Sequence, residues 1–281
     1  MMEIEFFGVR GSTPCSCSNT MGHGGNTSCV MVRIGDEPPI ICDLGTGARY
    51  YGNRLLDGPP GAFRGTALVT HLHWDHVQGL PFFVPLLRDG AHLQFVGPEQ
   101  ENGQSLEAEV CSFVRPPLFP IELQVLPGQI DFVETSHDRF DVGSASVLAR
   151  AIPHVGPTNG YRIDAAGASM AYLPDHQQPM DGSMSISDGV RELCDGVDVL
   201  IHDAQYDAEE FASKLDWGHS TAEYAVEVAR QCGVRHLVLF HHDPMHDDDW
   251  IKDATERAEV RAAGSFQVSA AFEGLTLRLG R

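Results

Sequence analysis

Basic residues are scarce in this chain: 19 Lys and Arg stand against 39 Asp and Glu, for a formal charge of −20. A protein that grips a long nucleic acid needs a basic face to neutralise phosphates, so no large RNA or DNA partner is expected. No apolar run approaches the ~18 residues of a membrane-spanning helix. The opening stretch Met1-Met2-Glu3-Ile4-Glu5-Phe6-Phe7 has no basic region and moves straight into a strand pattern, unlike a signal peptide. The seven cysteines are odd in number and scattered, which fits a reducing cytoplasm and not a disulfide framework. The 281 residues suffice for one large α/β domain with a sizeable core, expected to span 1–281.

Chemistry is concentrated in Thr70-His71-Leu72-His73-Trp74-Asp75-His76-Val77-Gln78-Gly79-Leu80. The apolar run Ala67-Leu68-Val69 before it reads as the end of a buried strand. Val77 to Leu87 after it reads as a helix, with Pro81 tolerated in the first turns. His71 and His73 are two apart, so an extended backbone aims both side chains the same way. Asp75 and His76 fall where the chain turns into the helix, placed to build a second site beside the first. Imidazole nitrogens with a carboxylate suit zinc, iron or manganese.

His71-Leu72-His73-Trp74-Asp75-His76 resembles the H-x-H-x-D-H signature of the metallo-β-lactamase-fold hydrolases, and Val77-Gln78-Gly79-Leu80 continues as in their phosphodiesterase branch. The resemblance extends along most of the chain. Strands over 3–9 and 28–34 flank a glycine-rich stretch (Gly11 to Thr27) of the kind that lies near the metals in this family. After a strand over 40–43, Asp43-Leu44-Gly45-Thr46-Gly47 resembles its D-x-G-x-G turn, with Asp43 supporting a metal-binding His. His154 ends the strand-like run 145–152, and Tyr172-Leu173-Pro174-Asp175 resembles the Y-x-x-D motif whose Asp bridges two metals. A carboxylate suits that position because its charge reduces repulsion between two cations. After the strand 236–240 comes His241-His242-Asp243-Pro244, where alignment on Pro244 favours His241 over His242 as the last ligand.

The resemblance therefore implies a four-layer αββα sandwich of class α/β with two divalent metal ions, zinc first and manganese or iron as alternatives. One ion is held by His71, His73 and His154, the other by Asp75, His76 and His241, with Asp175 bridging. It also implies a shared hydroxide as nucleophile, which Asp75 orients or deprotonates. His202-Asp203-Ala204-Gln205 departs from the branch's His-Glu-Ala-Thr, which leaves the roles of His202 and Asp203 open. His219, in the His-Ser-Thr motif, is the candidate acid or phosphate clamp. It sits ahead of a helix for which Ser220 and Glu223 form a capping box.

Some members carry a further structural zinc on N-terminal cysteines. Here Cys15 and Cys17, with His23, His242 or His246, are the residues available, but two cysteines alone are a weak signal and free buried thiols are the default. Between 92 and 152, strands are expected over 92–97, 121–126, 130–135 and 145–152, with a helix within 99–114. Insertions in this region often wall the site, so Phe113, Phe119 and Phe132 are either substrate neighbours or core. His154 and Asp175 are only 21 positions apart. That interval has no room for the basic arm with which tRNA-maturing members of the superfamily grip tRNA.

Three functions follow. The first is a phosphodiesterase acting on a small, anionic, cyclic phosphodiester. The second is a lactone, thioester or lactam hydrolase using the same metals. The third, an iron-binding redox or sensory protein, would need for the known redox branch a flavodoxin-like partner domain, and none fits after residue 250. The first is preferred. Superfamily members are often dimers, so a homodimer is compatible with the resemblance.

Overall fold

The apolar stretches that alternate with glycine-rich turns become strands in the computed structural model, which describes residues 1–57 and 63–280. The first half holds β1 (Met2–Gly8), β2 (Cys29–Ile34), β3 (Ile40–Cys42), α1 (Gly47–Arg54), β4 (Arg64–Leu68) and α2 (Trp74–Val77). It continues with β5 (His92–Gly97), α3 (Leu106–Phe113) and β6 (Gln129–Glu134). The second half holds β7 (Arg139–Val142), β8 (Ala145–Ala151), β9 (Asn159–Ala165), β10 (Ala168–Leu173), α4 (Asp188–Cys194) and β11 (Val199–Asp203). It ends with α5 (Ala208–Ser213), α6 (Ala222–Gln231), β12 (His236–Phe240), α7 (Asp248–Ala262), β13 (Gln267–Ala270) and β14 (Thr276–Leu279).

Among the described residues these strands make two seven-stranded sheets, ordered β14-β1-β2-β3-β4-β5-β6 and β13-β12-β11-β10-β9-β8-β7. Strand alternation sorts each sheet's side chains between two faces. In β2, Val30 and Val32 face the opposite sheet, while Cys29 and Met31 face outward. Inward residues of both sheets, among them Ile4, Phe6, Val147, Ile163, Tyr172 and Phe240, form one buried layer. A second layer packs the first sheet against α1, α3 and the turns around Leu80 and Leu86. A third packs the other sheet against α4, α6 and α7. Three apolar interfaces between four layers, helices, sheet, sheet and helices, give the αββα sandwich.

The expected helix over Val77 to Leu87 is not continuous. α2 stops at Val77, and two 3₁₀ turns follow, Leu80–Phe82 and Val84–Leu87. Each turn has a proline, Pro81 or Pro85, in its first positions, and a proline has no N–H to continue a preceding helix. The strand expected over 121–126 is likewise a 3₁₀ turn, Leu123–Val125, which tucks Leu123 and Leu126 beneath the first sheet.

Strands β3 to β6 run parallel to one another, as do β10 to β13, and β8 shares the direction of β10 through the antiparallel β9. The segments after β4, β8, β10, β11 and β12 therefore emerge where strand carboxyl ends gather, the usual place for a ligand in such sheets. They carry His71 to His76, His154, Asp175 and His241, and β11 itself ends in Asp203.

Candidate metal centre

Seven side chains singled out in the sequence come together at this edge. His71, His73, His154 and Asp175 offer ligand atoms within 4.8 Å of one another, and so do Asp75, His76 and His241. Asp175 stands between the groups and gives each one oxygen. Its Oδ2 lies 3.7 Å from His71 Nε2 and 3.6 Å from His154 Nε2. Its Oδ1 lies 3.0 Å from His76 Nε2 and 3.1 Å from His241 Nε2. Asp75 Oδ2 closes the second group at 3.2 Å from His76 Nε2 and 3.0 Å from His241 Nε2.

Most of the imidazoles are held from behind. His76 Nδ1 donates to Asp43 Oδ2 (2.7 Å), His154 Nδ1 to the Gly218 carbonyl (2.7 Å) and His241 Nδ1 to Gln205 Oε1 (2.7 Å). His71 Nδ1 lies 3.1 Å from Thr70 Oγ1, which in turn donates to Asp43. A proton on Nδ1 leaves the Nε2 lone pair directed inward, the arrangement that orients histidine ligands. His73 presents Nδ1 instead, 3.3 Å from His154 Nε2. Asp43 also accepts from the Thr70 N–H (2.8 Å) and the Tyr172 hydroxyl (2.9 Å), so the expected support from Asp43 has visible partners.

The residues fit cations. His71 Nε2 and Asp175 Oδ1 are buried without a hydrogen-bond partner among the described residues. Two pairs of ring nitrogens, His76–His241 and His73–His154, face one another at 3.3 Å. Orphaned buried polar atoms are rare in folded proteins and call for an ion or water.

Charge and burial pull the titrating groups apart. Burial drives His71 far below the usual histidine range, reinforced by His76 beside it. His154 is pushed down to about 4, again chiefly by burial. Burial would also lower His76, but the carboxylates of Asp175, Asp75 and Asp43 overcome it and hold that ring well above its usual value. Burial works against ionised Asp75 and Asp175 too, yet the surrounding histidines keep both well below the carboxylate range. The carboxylates are thus ionised and His71 and His154 neutral, the forms that bind metal, while His76 would give up its proton to a cation.

His219 stands beside this cluster. Its Nδ1 bonds Asp203 Oδ2 at 2.9 Å and lies 3.9 Å from Asp175 Oδ2, and its ring stacks on His241. Burial lowers its affinity for a proton, but Asp203 and Asp175 outweigh this and raise its pKa. Asp203 also accepts the backbone N–H groups of His176 (3.2 Å) and Gln205 (3.0 Å). His202 points away, held between His176 Nδ1 (2.8 Å) and the Asp203 carbonyl (2.7 Å).

Several contributors escaped sequence reasoning. Gln205, where the resemblance led one to expect Thr, holds His241; Thr70 relays His71 to Asp43; Ser12 N–H donates to Asp75 Oδ2 at 2.7 Å. None lies in a spacing that signals a ligand. The cap of α6 is Thr221, whose oxygen accepts from the Tyr224 N–H, and not Ser220. Ser220 instead donates to the His176 carbonyl, and Glu223 Oε2 has no partner among the described residues, so the expected capping box is absent.

The cysteines are not gathered with the histidines considered for a further zinc. Cys15 Sγ bonds Thr20 Oγ1 and Cys17 is exposed. His23 bonds Asp248, His242 bonds the Ala271 carbonyl, and His246 bonds Glu210. Phe113, Phe119 and Phe132 pack against the outer layer of the first sheet, Phe113 touching exposed Trp74 beside His73 and Phe119 touching Phe82.

This architecture is the metallo-β-lactamase fold. A metallo-β-lactamase-fold protein, YhfI of Bacillus subtilis, superposes with a TM-score of 0.72 at 17% identity over 98% of both chains. A diphosphatase from the PhnP family superposes with 0.70 at 20% identity, over 99% of this chain and 98% of its own. The family described as beta-lactamase superfamily domain matches residues 57–242, and the chain belongs to it. Ribonuclease Z of Natronomonas pharaonis is 23% identical over 278 residues, covering 85% of this chain and 86% of that protein. The protein is a hydrolase of this superfamily, whose fold implies binding of divalent metal.

Proposed function

We propose that the protein is a metal-dependent phosphodiesterase acting on a small, cyclic phosphodiester. The observation that carries this reading is the His219–Asp203 pair set against the seven-residue cluster. His71, His73, His154 and Asp175 would hold one divalent ion, and Asp75, His76, His241 and Asp175 a second, with zinc the first choice. Such ions supply a nucleophile at neutral pH and offset charge that grows on the phosphoryl oxygens. Asp75, kept ionised, is placed to take a proton from the attacking water. His219 gives its proton to the leaving oxygen as the phosphorus–oxygen bond breaks, and Asp203 steadies the resulting ring orientation. Asp203 holds the Nδ1 proton, so the proton that the imidazolium gives up is the one on Nε2.

A poorer leaving group needs that acid more, and the alkoxide that leaves an alkyl phosphodiester is poorer than the thiolate of a thioester. The names ribonuclease and diphosphatase, carried by relatives in sequence or structure, both denote hydrolysis at phosphorus. A small substrate is favoured over tRNA by the charge of −20 and by the short interval from His154 to Asp175, filled by the β9–β10 hairpin.

The test is hydrolysis of a simple aryl phosphodiester by protein loaded separately with zinc and with manganese. Turnover that depends on metal and disappears, together with metal content, in Asp175→Ala is the expected result. Full metal occupancy without phosphodiester turnover would shift the assignment to lactone or thioester hydrolysis. Retention of both metal and activity in Asp175→Ala would overturn the site.

A further inference from the structure

Arg10 is fully buried, which is rare for an arginine, and its guanidinium meets backbone rather than a partner carboxylate. Nε donates to the Gly24 carbonyl (2.7 Å), one Nη to the carbonyls of His246 (2.7 Å) and Asp243 (3.2 Å), and the other Nη to that of Thr20 (3.0 Å). Asp248 lies at 3.9 Å. One planar fork thus joins the glycine-rich segment 20–24 to the loop 243–246 that follows His241. The backbone makes the same connection: Gly11 N–H donates to the His242 carbonyl and His242 N–H to that of Val9, both at 3.0 Å.

The two residues after Arg10 touch the centre itself. Gly11 lies flat against His241, so close that a Cβ there would sit 2.4 Å from His241 Nδ1. Ser12, at φ +59°, turns its N–H onto Asp75 Oδ2 at 2.7 Å. All of these contacts fall on the Asp75–His76–His241 group. His71 is held by Thr70 and His154 by the Gly218 carbonyl, and among the described residues no hydrogen bond from residues 10–12 reaches His71, His73 or His154.

We propose that Arg10-Gly11-Ser12 is a brace for one half of the centre, with Arg10 the positioning residue that sets the placement of His241 and hence metal affinity at the Asp75–His76–His241 group alone. The proposal rests on the two-ion reading above. Arg10→Lys keeps the charge but cannot reach four carbonyls with a planar fork. Loss of a group that orients ligands typically weakens metal binding by about 10- to 100-fold.

The experiment is titration of metal-free protein with cobalt(II), following bound stoichiometry and the visible ligand-field spectrum, for wild type, Arg10→Lys, Gly11→Ala and His73→Ala. The expected result is two ions in wild type, one of them bound about 10-fold or more weakly in Arg10→Lys and Gly11→Ala, the other unchanged. The weakened ion must be the one that His73→Ala retains, because His73 belongs to the opposite group. Wild-type affinity for both ions in the variants would overturn the brace, and so would equal weakening of both ions, which marks a role in overall folding only. Should Arg10→Lys fail to fold, Gly11→Ala decides by the same criteria. A wild-type protein that takes fewer than two ions would refute the two-ion reading itself, a result distinct from two ions that ignore the brace.

Discussion

His241 and His242 follow one another in the chain, yet their rings part. His241 adopts φ +59°, a left-handed conformation that costs a residue with a side chain about 1–3 kcal/mol, and swings into the cluster. His242 turns to the Ala271 carbonyl and the His23 ring. Alignment on Pro244 favoured the one whose ring joins the cluster, but no spacing rule could have told that the neighbour is spent on packing. The seven clustered residues were legible because each follows a strand end and carries a ligand type. Asp203 stood in a recognisable motif with its role open, whereas Gln205 and Arg10 were not legible, since a polar residue that bonds a ligand's far side or the backbone behind it leaves no periodic trace.

The His219–Asp203 pair gives the sharpest test at these positions. His219→Ala is expected to lower kcat on a phosphodiester by about 10²- to 10⁴-fold while elemental analysis still finds the wild-type metal content. With its pKa raised, His219 stays protonated beyond the ordinary histidine range, so activity should fall as pH rises through that raised value. Asp203→Asn removes the charge chiefly responsible and should move this fall to lower pH in a profile of kcat/KM. A profile unmoved by Asp203→Asn would remove His219 as the acid.

Helix α6 shows how a local signal can be right in kind and wrong by one position. Ser220 and Thr221 are both capping residues, and tertiary contacts decide between them: Ser220 is drawn to His176, and Thr221 both caps the helix and donates to Gln178 Oε1 at 2.8 Å. Thr221→Ala should cost about 1–2 kcal/mol in urea unfolding. A change within a few tenths would mean that the cap contributes little here. Helix α7 is missing from the sequence-based reading for a related reason. Its buried stripe is Ile251, Ala254, Ala258 and Ala262, so alanine fills most of the face and the apolar period is faint. Strands β7, β13 and β14 are four-residue edge elements with mostly half-buried or exposed side chains, too short for alternation to stand out.

Acidity acts on the entire protein through its buried histidines. Burial holds His202 and His242 below the ordinary range, and His71, His154 and His176 likewise. A group whose proton affinity is lower folded than unfolded takes up protons on unfolding, so stability drains away as pH falls below the unfolded histidine value of about 6.5. His76 and His219 shift the opposite way, but they are fewer, and Asp75 and Asp175 add to the acid sensitivity at still lower pH. Chelated protein should therefore lose melting temperature progressively from pH 7 to pH 5 in scanning calorimetry. A flat profile would contradict the neutral state assigned to these rings.

The split of the cluster between the two sheets carries one more consequence. His71, His73, Asp75 and His76 follow β4 of one sheet, whereas His154, Asp175 and His241 follow strands of the other. Ions seated between them would rivet the halves at one edge, adding to the apolar layer and to the hydrogen bonds such as Tyr172 to Asp43 that already join them. Loaded protein should then open as one cooperative unit, its slowest amides in both sheets exchanging with deuterium at a common rate. Stripped of metal, the halves are freed to open separately, and their exchange rates should diverge.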